Sequence, residues 1–307
     1  MNPQVIIELL AATIRIATPL LFVALGGLLS ECAGTFAVGI EGMMLTGAFS
    51  GAVATFVTHQ LGIGLVASAL AGSALAALVG IATARFRADQ MVTGLAVNIL
   101  AFGLTSFLLR GLFGGQAPII TLPTLQPVAL PGLARLPIIG PVLFDQPALT
   151  YAGFTLVSAL HFFLTRAHAG LTLRAVGENP TAAFSLGIDP FHWRIGAIMA
   201  GGALAGLGGA VLSLQELGTF TDGMTHGRGF IALAAIVVGR WKPVTTALGC
   251  LLFGATAALA LNMQGWGLPL SSYVLQMAPY VMALAVLGGL GRASRMPAAL
   301  GKAFTRD

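Results

Sequence analysis

Long apolar runs separated by short polar stretches dominate the chain, and they do not alternate with the period of two that a membrane strand would show. A helix crossing the hydrocarbon core of a bilayer needs about 20 predominantly apolar residues. Runs on that scale predict spans at residues 13–29, 40–57, 63–84, 92–113, 148–165, 195–214, 244–261 and 273–290. Residues 230–239 are also apolar, but a helix that short reaches only about 15 Å. This segment is expected to extend back into the polar stretch before it. The alternative is a half-helix buried in protein. The fold class expected is all-α, a polytopic membrane protein with about nine spans (eight to ten).

Composition agrees with the pattern. The chain has 307 residues, 57% of them apolar and only 8% Asp, Glu, Lys or Arg, and its mean hydropathy is +0.92. So few charges cannot cover a soluble globule, which excludes an ordinary cytosolic enzyme, a disordered chain and a disulfide scaffold. The net charge of +5 does not point to nucleic acid, because the basic residues are scattered singly and form no stripe.

Their positions predict orientation instead. With the N-terminus outside, the inside segments hold Arg85, Arg87, Arg166, Arg174, Arg194, Arg240, Lys242, Arg292, Arg295, Lys302 and Arg306; the outside holds Arg110, Arg135 and Arg228. A single membrane domain of residues 1–307 is expected, with a proline-rich external loop at 114–147, a cytoplasmic loop at 166–194 and a basic cytoplasmic tail at 291–307. The region before the first run holds no basic stretch, so no cleaved signal peptide is expected.

No catalytic constellation is visible. The sequence has no GxSxG, no phosphate-binding loop and no close pair of carboxylates, and its five histidines and two cysteines lack metal-ligand spacing. No cofactor or metal is expected. Polar residues inside or at the ends of spans are the remaining candidates: Glu41, Gln90, Thr93, Asn98, Gln215, Glu216, Asn262 and Gln264. Most sit where water can reach them. Asn98 lies about two turns inside its span and needs a hydrogen-bond partner there. Glu41, Thr93, Asn98 and Asn262 are the residues assigned to a solute path. No chain of acids suited to proton coupling is present.

Within the loop at 166–194, Asn179 can cap a helix that has Pro180 at its first position, and Gly187 suits the helix end. The helix so framed has about two turns. It is too short to persist alone in water, so it must dock on something.

The run Glu178-Asn179-Pro180-x-Ala182-Ala183-x-x-x-Gly187-Ile188 resembles the coupling loop of ABC importer permeases. Residues 39–45 (GIEGMML), 93–98 (TGLAVN) and 227–235 (GRGFIALAA) are similar to other segments of the same group, and the likeness extends over roughly residues 10–292. That group includes ribose, branched-chain amino acid and nucleoside permeases. The GRGFIALAA segment and the Gly239-Arg240-Trp241-Lys242-Pro243 that follows look closest to the nucleoside or simple-sugar branch. Residues 32–38 (CAGTFAV) depart from the more polar run usual there and lack its asparagine.

The resemblance implies a transport subunit of the bacterial-type inner membrane that is not itself an enzyme, with a cytoplasmic C-terminus. It implies four partners: an ABC ATPase subunit, a second permease, identical or related, an extracytoplasmic solute-binding protein, and membrane lipid. Arg174, Glu178, Asn179, Ala182, Ala183 and Gly187 would contact the ATPase, the two alanines packing into its cleft. The solute implied is nucleoside-like. The alternatives are a simple sugar, a branched-chain amino acid, or a self-contained secondary transporter.

Overall fold

The structure is a computed structural model and describes residues 3–113, 121–129, 131–132, 139–265, 277–290, 296–302 and 304. These residues form α1 (Pro3–Cys32), α2 (Ile40–Thr58), α3 (Leu61–Arg85), α4 (Gln90–Phe113), β1 (Pro127–Ala129), α5 (Ile139–Leu143), β2 (Asp145–Pro147), α6 (Ala148–Arg166), α7 (His168–Glu178), α8 (Pro180–Ser185), α9 (Pro190–Ala210), α10 (Arg228–Val238), α11 (Pro243–Gly265) and α12 (Ala278–Leu290). Among the described residues, seven helices are long and apolar enough to cross a membrane: Gln4–Cys32, Ile40–Thr58, Leu61–Arg85, Gln90–Leu112, Ala148–Arg166, Pro190–Leu217 and Pro243–Gln264. The nine spans expected are not all found among those residues. Residues 230–238 lie in α10, which has 11 residues and starts only two residues before the apolar segment. Tight turns precede it, so the extended helix did not form. The last predicted span opens on residues outside the described set, and its described part is α12, with 13 residues.

The centre of the molecule is α9, which packs against α1, α2 and α3. Helix association in lipid depends on close packing, because the lipid tails are as apolar as the side chains. Glycine makes that approach possible. A Cβ on Gly47 would lie 2.3 Å from the Gly206 Cα, and one on Gly202 would lie 2.5 Å from the Gly72 carbonyl oxygen. Gly47 of α2 thus meets Gly206 of α9, while Gly51 of α2 and Gly202 of α9 both face α3, at Ser68 and Gly72; Gly111 of α4 meets nothing within 4 Å. Leu25, Leu28, Met44, Ile198 and Leu212 are fully buried around the crossing. Outward-facing Ile99 and Phe107 of α4 and Phe162 of α6 are exposed, as a lipid-facing surface requires.

α9 widens into a π-helical turn over Val211–Leu217, which ends at Gly218 in the left-handed region. The Leu214 and Gly218 carbonyls there accept the N–H groups of Leu125 and Leu122 at 3.1 and 2.8 Å. The proline-rich loop is therefore anchored to the end of α9. It also contains α5 and a short antiparallel pairing of β1 with β2, Val128 opposite Gln146, a small departure from an all-α chain.

Candidate functional site

Between α1 and α2 the chain turns back through residues 33–39, almost all of them buried. Glu41 therefore enters the protein in the first turn of α2. Opposite it begins α10, after a turn closed by Gly227 at φ +77°. One Glu41 carboxylate oxygen, Oε1, accepts the Thr225 hydroxyl at 2.6 Å and the Gly227 N–H at 2.8 Å. The other, Oε2, accepts the Gly229 N–H at 2.6 Å. Free N–H groups and the helix dipole make a helix N-terminus a site for negative charge. Hydrogen bonds to an ionised group are also among the stronger ones. The first residues of α2 and of α10 are thus tied through one carboxylate. Beside them Arg228 pairs with Glu216 at 3.4 Å, and the Tyr280 hydroxyl donates to the His226 carbonyl.

Asn98 of α4 completes the cluster. Its Nδ2 donates to the Val38 carbonyl at 2.9 Å, and its Oδ1 accepts the Gly42 N–H at 2.8 Å. A Cβ on Gly94 would lie 2.8 Å from Val38 Cβ, so α4 lies directly against the buried turn. The segments at 39–45, 93–98 and 227–235, far apart in sequence, meet here. They border a cavity of about 220 Å³ lined by Glu41, Leu45, Asn98, Phe102, Thr225 and His226, among others. A neighbouring cavity of about 360 Å³ between α1, α10, α11 and α12 shares His226 and adds Arg228, Gln264 and Tyr280.

Of the four solute-path residues expected, two are brought together, Glu41 and Asn98. Thr93 donates to the Asp89 carbonyl of its own helix region at 2.7 Å and does not line the cavity. Asn262 donates to Ala258 of its own helix at 2.9 Å, and its neighbour Gln264 lines the second cavity instead. In both cases the side-chain donor is taken up by a backbone carbonyl four residues earlier. Phe102 and His226 were missed. Phe102 had a signal: it follows Asn98 by four residues and so shares its helix face. His226 had none, because only the turn before α10 brings it in.

At the other end of α9, the cap geometry is as read from sequence. Asn179 Oδ1 accepts the Ala182 N–H at 3.0 Å, and Pro180 opens α8. Gly187 sits at φ +82°. Asp189 then caps α9, accepting the Phe191 N–H at 3.0 Å. The two alanines divide. Ala182 is exposed, whereas Ala183 is buried against its own chain, with 3% of its surface accessible. The outward surface is formed by Ala182 and Leu186, the latter 81% exposed, while the Phe184 ring is only partly exposed. Arg174 is exposed on α7, while Glu178 accepts the Ala298 N–H at 3.4 Å. Among the described residues, no group of three or more metal-ligating side chains occurs.

Residues 9–292 match the family model described as the permease component of branched-chain amino acid transport systems. The chain belongs to this permease family. It is 36% identical over 304 residues to a guanosine ABC transporter permease protein of Bacillus subtilis, covering 94% of each chain. It is 36% identical over 299 residues to a nucleoside ABC transporter permease protein of Lactococcus lactis, covering 94% of this chain and 93% of that one. A protein of Haloferax volcanii assigned provisionally as a glucose ABC transporter permease is 38% identical over 263 residues, covering 85% of this chain and 79% of that one. A solved structure of an ABC transporter assigned provisionally to the metal-chelate type, in an inward-facing conformation, shares the fold. Its TM-score is 0.50 at 16% identity, covering 92% of this chain and 85% of that one. The permease is thus a multi-pass membrane protein and a transport component.

Proposed function

We propose that this permease is the membrane-spanning subunit of an ATP-driven importer for nucleosides. The observation that carries the reading is the cavity between α2, α4 and the start of α10. Its carboxylate, Glu41, already accepts from three donors, and the lining adds the polar side chains of Asn98 and Thr225 and the ring of Phe102. A nucleoside is uncharged, carries many donors and acceptors, and offers a flat base to stack on an aromatic ring. A free amino acid would need fixed charges of both signs. The nucleoside assignments of two relatives across almost the whole chain support the same solute.

ATP would be hydrolysed on a separate subunit that meets the exposed face of α8, which puts α8 and the C-terminal segment in the cytoplasm. The loop at 114–147 then faces the extracytoplasmic solute-binding protein. A second permease, identical or related, would close the path from the other side.

The test is reconstitution of the permease with its ATPase, second permease and binding protein in lipid vesicles, followed by uptake of labelled guanosine. ATP-dependent uptake that an ion gradient cannot replace supports the reading. Uptake without the ATPase overturns it. The Haloferax relative favours a second reading, a simple sugar. Uptake of labelled glucose with no competition from guanosine would decide for it.

A further inference from the structure

The C-terminal segment is built into the same end of the molecule as α8. Pro297, Ala299, Leu300 and Phe304 are buried. Three sets of contacts hold them. The Ala299 N–H donates to the Gly177 carbonyl at 3.0 Å, at the end of α7. Gly177 is itself so close to the end of α1 that a Cβ there would lie 2.0 Å from the Cys32 carbonyl oxygen. The Arg194 guanidinium, with 5% of its surface accessible, donates through Nη1 to the Lys302 carbonyl at 2.8 Å and through Nη2 to Ala299 at 3.4 Å. Its Nε donates to the Ala33 carbonyl at 3.2 Å, in the turn between α1 and α2. The Phe304 ring packs against Phe184 of α8 with centroids 5.7 Å apart, and against Phe191 of α9 at 5.4 Å.

Burying a cation is costly unless its hydrogen bonds are met. Among the described residues, no carboxylate lies within ion-pair distance of Arg194, and its planar fork is given to backbone carbonyls of the tail and of the α1–α2 turn. A helix of six residues, meanwhile, has too few internal bonds to hold its own place. Its inward contacts include one buried alanine, Ala183, and the pairing of Phe184 with the tail.

We propose that the C-terminal segment is a brace for α8. It fixes where α8 stands, so that a push on α8 passes through Phe304 and Arg194 to the turn at Ala33 that leads into Glu41. Phe304 and Arg194 are positioning residues; neither touches solute. This inference rests on α8 being the contact for the ATPase, and the test separates the two.

The experiment uses the complete transporter in vesicles with Phe304→Ala, Phe304→Leu and Leu186→Asp, measuring guanosine uptake per ATP hydrolysed and amide hydrogen exchange over α8. Phe304→Ala is expected to speed exchange at residues 182–185. It should also lower uptake per ATP by about tenfold, within the range of coupling between linked sites. Phe304→Leu, which still fills the space, should restore most of both. Unchanged exchange and unchanged uptake per ATP in assembled Phe304→Ala transporter overturn the brace. Leu186→Asp is expected to block both uptake and ATPase binding. If it leaves both intact, the reading of α8 fails, whatever Phe304 does. If it blocks both while Phe304→Ala behaves as wild type, the brace alone fails.

Discussion

The Glu41 carboxylate accepts the backbone N–H of Gly229 at 2.6 Å, and no side chain fits between them. A Cβ on Gly229 would lie 2.6 Å from Glu41 Oε2 and 2.7 Å from Glu41 Cα. Gly229→Ala is therefore expected to push α10 from α2 and cost ~1–3 kcal/mol, the usual penalty of overpacking. A lower melting temperature of the purified permease checks this. Gly111→Ala is the control. Gly111 meets nothing within 4 Å, and alanine is favoured over glycine in a helix by about 1 kcal/mol, so its stability should hold or rise.

Glu41→Gln keeps the shape of the side chain and removes the charge. Its amide nitrogen must face at least one N–H or hydroxyl donor where an oxygen now accepts. That leaves a buried donor unmet, at ~1–3 kcal/mol. The expected outcome is a lower melting temperature together with slower uptake, because the start of α10 loosens. Normal values of both would show that Glu41 is not the link between the two helices.

Asn98 and Phe102 share a helix face but should respond differently. Asn98→Ala orphans the Gly42 N–H and the Val38 carbonyl, so it should lower stability first, by about 1–3 kcal/mol. Phe102→Ala removes a half-exposed ring at the cavity. If a base stacks there, as stacking worth about 1–3 kcal/mol would have it, the apparent affinity for guanosine falls by about tenfold while stability is kept. Uptake kinetics and thermal melts on the two variants distinguish these roles.

Asn179→Ala removes the side-chain cap from α8. Loss of such a cap costs about 1 kcal/mol, and a helix of six residues has little reserve. Faster hydrogen exchange at Ala182 and weaker binding of the ATPase are expected. Asn179→Ser, another good cap, should restore both.

The sequence by itself determined most of the helices, the membrane class and the frame of α8. These depend on local physics. A run of apolar residues needs lipid or protein wherever it lies, and the Asn179 cap, the Pro180 start and the Gly187 stop act within a few bonds of themselves. The shared segments at 39–45, 93–98 and 227–235 were also legible, but only as separate strings.

What they do together was decided by tertiary structure. Glu41 became a helix-to-helix link because the buried turn at 33–39 carries it against the start of α10. Thr93 and Asn262 lie outside the cavity lining and bond carbonyls in their own chain neighbourhood. Ala183 faced inward, although its neighbour Ala182 faces out, because α8 docks on the same chain. The short α10 and the anchored tail follow the same rule. A buried polar group or a short helix takes its meaning from whatever lies across from it, and that partner is set by packing between distant segments.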